Sequence, residues 1–407
     1  MKLLLSILLL ASQGLTAPTT SWVPDDTSAS QEFADIALQN ALNVPSNYSS
    51  RCNPSTAPRR REWHDLSLTD RRKWIAAVRC LQTKPSRIGE SVPGAKTRYD
   101  DFVAIASAPL ASLRTTSPNI SSQHIQQTPV IHGTGNFLSW HRHYTWAFEQ
   151  ALRTECNYTS HQPYLNWAKI SSSPLSSPLF DGSPSSIGNN GAYRPHPGIT
   201  LGGTHPNRTT LSFPPGLGGG CHTSGPFANT TVNLGPVASY LPYLKPNPLK
   251  SGLGYNPQCI IRDINPAAAR EASDKNVTDL LTTSPDIASF QSQLQGVFER
   301  GIYGVHTSGH YLLGGAPGGD FFTSPGDPYF WLHHAMVDRV WWMWQGQVAD
   351  GSREEVVAGT VTMNDEPHSR DATLEDEIDL GGGLLGETVR IRDAVRTTAG
   401  PYCYLYE

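Results

Sequence analysis

Six of the 14 histidines restrict the fold of this chain more than any other feature, because they form two sets of three on or beside its most aromatic segments. His306 and His310 lie four residues apart, so on a helix both imidazoles leave the same face. His334 follows beyond a stretch rich in glycine and proline, 314–319, and an antiparallel helix pair would return it to the first two. The other set is looser. His132 and His141 bracket Gly-Thr-Gly-Asn-Phe-Leu-Ser-Trp, and His141 sits inside a helical segment. His124 precedes them on a loop that can fold back over the start of that helix. A lone histidine on an apolar helix is usually a bonded core residue; two matched triads within aromatic helices are not explained that way. Three neutral imidazoles without thiolate or carboxylate suit copper, zinc or iron, and raw affinity favours copper. Two such triads facing each other inside a helix bundle make a binuclear centre. Metals roughly 3.5–4 Å apart can take dioxygen between them, by analogy with two-metal clamps on other substrates.

The periodicity supports that bundle. Trp63–Gln82 reads as a helix, with Ser67 as N-cap, Asp70 three residues on, and Trp74, Ala77, Val78 and Leu81 on one face. Phe137–Arg153 is a second helix, in which Phe137, Trp140, Tyr144, Phe148, Ala151 and Leu152 recur at helical spacing. Phe290–Leu313 reads as a third, with Phe290, Leu294, Val297, Phe298, Ile302 and Val305 as its stripe. Asp327-Pro328 opens a fourth that runs to about Gln347. Residues 18–50 form a lead-in arm, and 171–258, rich in Ser, Pro, Gly and Asn, a long ordered loop region of the kind that carries function. The tail from Val356 alternates in places, at Val389 and Ile391, and predicts short strands. The fold class is mainly α: a four-helix-bundle core holding a binuclear copper site, with long loops and a few short strands.

The first residues set the compartment. Met1-Lys2, the apolar run Leu3–Leu10 and Leu15-Thr16-Ala17 read as a signal peptide over 1–17, leaving 18–407 as one secreted domain. The sequons at Asn47, Asn119, Asn157, Asn207, Asn229 and Asn276 fit that route and predict surface positions. Cys52, Cys80, Cys156, Cys221, Cys259 and Cys403 are an even set for an oxidising compartment, without C-x-x-C spacing. Pairing near neighbours predicts Cys52–Cys80 and Cys221–Cys259, with Cys156–Cys403 tying down the C-terminus. A net charge of −4 and the lack of a dense Lys/Arg block argue against nucleic acid. No stretch after the leader is long and apolar enough for a membrane helix.

The motifs resemble those of a known family. Phe137-x-x-Trp140-His141-Arg142, with His132 upstream, is similar to the copper A signature of tyrosinases and catechol oxidases. His306-x-x-x-His310 followed by Asp327-Pro328-x-Phe330-Trp331-Leu332-His333-His334-x-x-x-Asp338-Arg339 resembles their copper B signature. The resemblance implies two copper ions, one held by His124, His132 and His141 and the other by His306, His310 and His334, with no catalytic residue beyond these ligands. His333 and His143 would be supporting residues. The short gap between His124 and His132 resembles a short, secreted fungal subgroup that includes catechol oxidases; the other first ligand would be His64, far upstream. By the same likeness Phe330 packs beside the coppers, Asp338 and Arg339 form a structural ion pair, and Phe321 is a gate over copper A. Thr307 stands where strong monophenol hydroxylases often carry Asn, and Tyr311 is a bulky neighbour; with Phe321 these are the substrate-binding candidates. A family glutamate that orders a water corresponds to Glu299 or is replaced by Gln295. No Cys lies near His132 to form the family's thioether, and the chain ends soon after Tyr404, which implies no long C-terminal lid.

In function, the resemblance implies an oxidoreductase that uses dioxygen to convert o-diphenols to o-quinones, with ortho-hydroxylation of monophenols as a further activity. Its substrate would be a phenolic small molecule or a tyrosine within a peptide, in pigment formation or the tailoring of a secondary metabolite. Three rivals use the same residues differently: a redox-neutral tailoring enzyme holding zinc as a Lewis acid, an oxygen carrier with a sealed pocket, and a binding glycoprotein.

Overall fold

The computed structural model describes residues 22–43, 52–104, 124–202, 209–241 and 243–407, with 124–126 described by backbone alone. The expected signal peptide and the acceptors Asn47, Asn119 and Asn207 lie outside the described residues. In chain order the helices are α1 (Ser28–Asn43), α2 (Leu68–Leu81), α3 (Arg98–Val103), α4 (His124–Ile131), α5 (Phe137–Cys156), α6 (Pro266–Arg270), α7 (Asp274–Thr283), α8 (Ile287–Gln295), α9 (Val305–Leu313), α10 (Tyr329–Gln345) and α11 (Ile391–Ala394). The strands are β1 (Arg59–Arg60), β2 (Gly191–Tyr193), β3 (Ile199–Leu201), β4 (Leu211–Phe213), β5 (Gly219–His222), β6 (Thr231–Val232), β7 (Gln258–Cys259), β8 (Ile261–Arg262), β9 (Glu377–Ile378), β10 (Val389–Arg390) and β11 (Leu405–Tyr406).

A four-helix core positions everything else: α5 packs on α10, α2 on α5 and α9 on α10. Ser67 caps α2 as its sequence predicts, its hydroxyl accepting the Asp70 N–H at 3.1 Å. α5 runs past Arg153 to Cys156 and stops at Asn157, which takes the left-handed conformation at φ 55°. Phe148 and Trp331 stack face to face where α5 meets α10, with ring centroids 3.6 Å apart.

The single helix read over Phe290–Leu313 is instead two, α8 and α9. Gly296 and Gly304 adopt φ 112° and 77°, and a Cβ on Gly304 would fall 2.5 Å from Leu294 O. Between them the chain doubles back, with Val297 and Ile302 bridged. The apolar period ran on unbroken because Val297, Phe298 and Ile302 are half-buried within that turn. The loop region over 171–258 and the residues just after it form short antiparallel pairings, β2–β5–β8, β3–β4 and β6–β7, too brief to leave a period.

Two of the three expected disulfides are corrected. The bridges are Cys52–Cys403, Cys80–Cys156 and Cys221–Cys259. β1 and β11 run parallel with Arg60 opposite Tyr406, which brings the C-terminal residues beside Cys52. Cys80 and Cys156 close the packed pair α2 and α5 at adjoining ends. Near-neighbour pairing failed because long-range strand and helix packing decides which ends meet.

Asp338 is the hub of the core, but not through Arg339. Its carboxylate accepts Arg142 Nε at 2.6 Å, Arg60 Nη1 at 3.3 Å and the hydroxyls of Tyr404 and Tyr406 at 2.7 and 2.5 Å. Arg339 donates to Glu407 O and Gln31 Oε1 instead. Neighbours on a helix lie about 100° apart, so the two side chains face different partners. Arg262 of β8 grips Asp327 through two bonds of 2.9 Å, pinning the start of α10 to the loop region.

Candidate metal centre

The crossing of α5 and α10 brings the two histidine sets together. The rings of His141 and His334 stack with centroids 4.5 Å apart and planes 15° from parallel. His306 lies 5.2 Å from His334 and 4.8 Å from His310. His132, on the turn after α4, lies 5.0 Å from His141 and 6.3 Å from His306. Five of the six histidines expected from the sequence therefore converge. The sixth, His124, is the first residue of α4, and its side chain lies outside the described atoms.

Local geometry prepares these rings to bind a cation. His141 Nδ1 meets Phe137 O at 2.7 Å and His132 Nδ1 meets Thr128 O at 3.2 Å. A carbonyl only accepts, so Nδ1 carries the proton in both and Nε2 keeps its lone pair. His306 and His334 are held well below the ordinary histidine value, first by burial and then by the charges of neighbouring histidines, so they are neutral. Both ring nitrogens of His306 lack a hydrogen-bond partner among the described residues, although the residue is only 4 % exposed. Leaving buried polar atoms bare costs about 1–3 kcal/mol each, and a bound metal removes that cost for the nitrogen that ligates it. The ligand nitrogens of His306, His310, His333 and His334 lie within 4.8 Å of one another. An all-imidazole, largely buried set fits copper.

The other expected residues take definite places. Phe330 stacks on His334 at 4.1 Å. Phe321 lies 4.5 Å from His132, and its N–H donates to Tyr240 Oη at 2.9 Å. Buried Asp320 holds the same loop by accepting the N–H groups of Val237 and Phe322. Thr307 donates to Gln295 O at 2.6 Å. Tyr311 is buried in a satellite core, 6.0 Å from Phe213 and 6.3 Å from Tyr240. Glu299 is exposed on the turn, whereas Gln295 Oε1 accepts the Gly133 N–H at 2.8 Å and so touches the His132 loop. His64 has both ring nitrogens engaged, by Glu62 and Ser177. His143 is bonded to Tyr402 and Glu387, and burial lowers it to about 4. Asn157 and Asn229 are exposed; Asn276 is half-buried, with its amide donating to Glu271.

Sequence reasoning missed one support. The segment 359–364 straps the His132 loop: Asn364 N–H donates to Gly133 O, and Gly135 N–H to Thr360 O, both at 3.0 Å. The Gly-Thr-Gly run was the available signal, since a Cβ on Gly135 would lie 2.8 Å from Gly359 O.

Comparison with known proteins agrees with this geometry. Residues 96–347 match the common central domain of tyrosinase. Tyrosinase P of Aspergillus terreus is 37% identical over 361 residues, covering 85% of this chain and 91% of that protein. The N-acetyl-6-hydroxytryptophan oxidase of Emericella nidulans is 34% identical, covering 91% of this chain and 98% of its own length. Among solved structures, a variant of the polyphenol oxidase of Thermothelomyces thermophila superposes with a TM-score of 0.81 at 39% identity, over 93% of this chain and 98% of the other.

Proposed function

Because the chain belongs to the tyrosinase family of oxidases, we propose that it is a secreted enzyme that oxidises phenols, o-diphenols foremost, to o-quinones with dioxygen. The observation that carries this reading is the meeting of the two histidine sets across α5 and α10, with His141 stacked on His334. His124, His132 and His141 would hold one copper, and His306, His310 and His334 a second. When bound, the pair supplies two-electron exchange between the phenol and dioxygen.

The chain's own residues do the rest. Carbonyl bonds to Nδ1 aim the imidazoles of His132 and His141 and keep them in one tautomer. Phe330 walls His334 from water, and Phe321 offers an aromatic face beside His132 against which a phenol ring can lie. Each o-diphenol loses two electrons and two protons, and two such turnovers reduce one dioxygen to two waters. Thr307, Tyr311 and Phe321 favour diphenol oxidation over ortho-hydroxylation of a monophenol.

The substrate is a phenolic small molecule or a tyrosine-bearing peptide, in pigment formation or tailoring chemistry; a relative named for oxidation of a hydroxylated tryptophan supports that class. Three disulfides, exposed sequons at Asn157 and Asn229, and the leader-like residues 1–17 support a secretory route, with 18–407 as one copper domain glycosylated at its six acceptors. Neither nucleic acid nor membrane is a partner on this reading.

Metal analysis of the purified protein, run beside oxygen uptake on catechol and tyrosine, tests it. Two coppers per chain with oxygen uptake on catechol is the expected result. Zinc in the site without oxygen uptake would replace this reading with redox-neutral chemistry on the same fold.

A further inference from the structure

α10 carries two adjacent histidines, and the reading above uses only His334. His333 is 0 % exposed, and neither of its ring nitrogens has a hydrogen-bond partner among the described residues. Its neighbours do not supply one. Tyr329 stacks on it at 5.9 Å but spends its hydroxyl on Gly309 O at 2.8 Å. Trp167 lies 5.2 Å away, with its own Nε1 also without a hydrogen-bond partner among the described residues. The remaining ring contacts are His310 at 4.3 Å, His334 at 4.9 Å and His306 at 5.5 Å.

The seat for this ring is built into α9. Gly309 lies between His306 and His310, and a Cβ there would overlap the His333 imidazole. If the ring only filled space, a phenyl group would do so without the cost of two bare nitrogens, about 1–3 kcal/mol each. His333 instead offers a ligand atom within 4.8 Å of those of His306, His310 and His334. His310 Nε2 and His334 Nε2 are 3.2 Å apart, close to the ~3.3 Å that separates two nitrogens each about 2.0–2.1 Å from one tetrahedral ion. Four imidazoles thus compete for one ion's coordination sphere.

We infer that His333 is a reserve ligand: with His306 and His310 it forms a second three-imidazole seat that receives an entering metal ion before His334 takes it. The inference rests on the metal-site reading above. Replacing His334 then leaves a complete triad behind, whereas His306 and His310, shared by both seats, have no substitute.

Copper content of the full chain after gel filtration tests this. The native chain is expected to hold two coppers, His334→Ala also two, and the double variant His333→Phe/His334→Ala one. Loss of a copper in His334→Ala alone, or equal content in the single and double variants, overturns the reserve ligand. A native chain without copper overturns the site reading instead, so the two failures are distinct. Should His334→Ala not fold, His333→Phe alone decides: uptake of the second copper by the metal-free protein should slow severalfold, with the final content still two. An unchanged uptake rate overturns the proposal.

Discussion

On the His306 side of the centre both histidine-bearing helices, α9 and α10, run through the packed core. On the His132 side only His141 stands on a core helix. His132 sits on a turn held from outside, by the Gln295 side chain and the backbone of 359–364. The first side is fixed by helix packing, so its ligands move only if the bundle moves. The second is fixed by a few hydrogen bonds to loop backbone, so it can loosen while the bundle stays intact.

The largest effect should come from a ligand on the packed side. His306→Ala removes a ring that both possible seats share, so one copper and all measurable catechol turnover should be lost. The fold should survive, because α9 keeps Val305, Leu312 and Leu313 buried. Metal content, turnover and thermal unfolding of the same sample check this. A chain that kept both coppers would show that the packed side does not own its metal.

Next comes the hub that joins the two sides. Asp338→Asn leaves Arg142 buried against a neutral partner and Arg60 with Glu149 alone, which should cost roughly 3–5 kcal/mol in denaturant unfolding. Both coppers should be held less firmly, because α5 carries His141 of one set and α10 carries His334 of the other. Acid should act on the same network. Burial alone would raise Glu149, yet Arg60 and then His161 outweigh it and hold its carboxyl at about 2 rather than 4.5. A lowered value stabilises the fold in full above pH 4.5, and that contribution is lost as pH falls from 4.5 toward 2. Unfolding midpoints measured across that range should fall, and a flat profile would remove Glu149 from the account.

Gln295→Ala tests the looser side directly. It strips the acceptor from the Gly133 N–H without touching a ligand. Metal affinity should drop about 10–100-fold, as for other partners that orient ligands, and the drop should be confined to one of the two coppers. Stepwise removal by a chelator, with a metal count at each step, separates the two ions. Equal weakening of both would mean that the sides are not mechanically independent.

This asymmetry also explains what could be read from the sequence. α2, α5, α10 and the histidines on α9 were legible because each buries a continuous apolar face at helical period. The break between α8 and α9 was not, because half-buried Val297, Phe298 and Ile302 keep that period through a turn set by Gly296 and Gly304. The disulfides at Cys52 and Cys80 were hidden for a different reason: their partners are chosen by the β1–β11 pairing and by α2 lying on α5. Asp338 and Arg339 are adjacent in sequence but diverge around the helix, so a motif that names both does not pair them.

The smallest effect tests Phe321, a half-buried aromatic side chain beside His132 on the looser side. Its ring lies 4.5 Å from His132, while its backbone is held by Tyr240 and its loop by Asp320. Phe321→Ala therefore removes the face and keeps the loop. The ring is half-buried, so stability should change by less than about 1 kcal/mol. An aromatic contact is worth about 0.5–1.5 kcal/mol beyond its area, which predicts a rise in KM for catechol of about twofold to thirteenfold with kcat little changed. A fall in kcat at constant KM would mean that Phe321 orients His132 rather than the substrate. The looser side would then depend on a side chain as well as on its backbone straps.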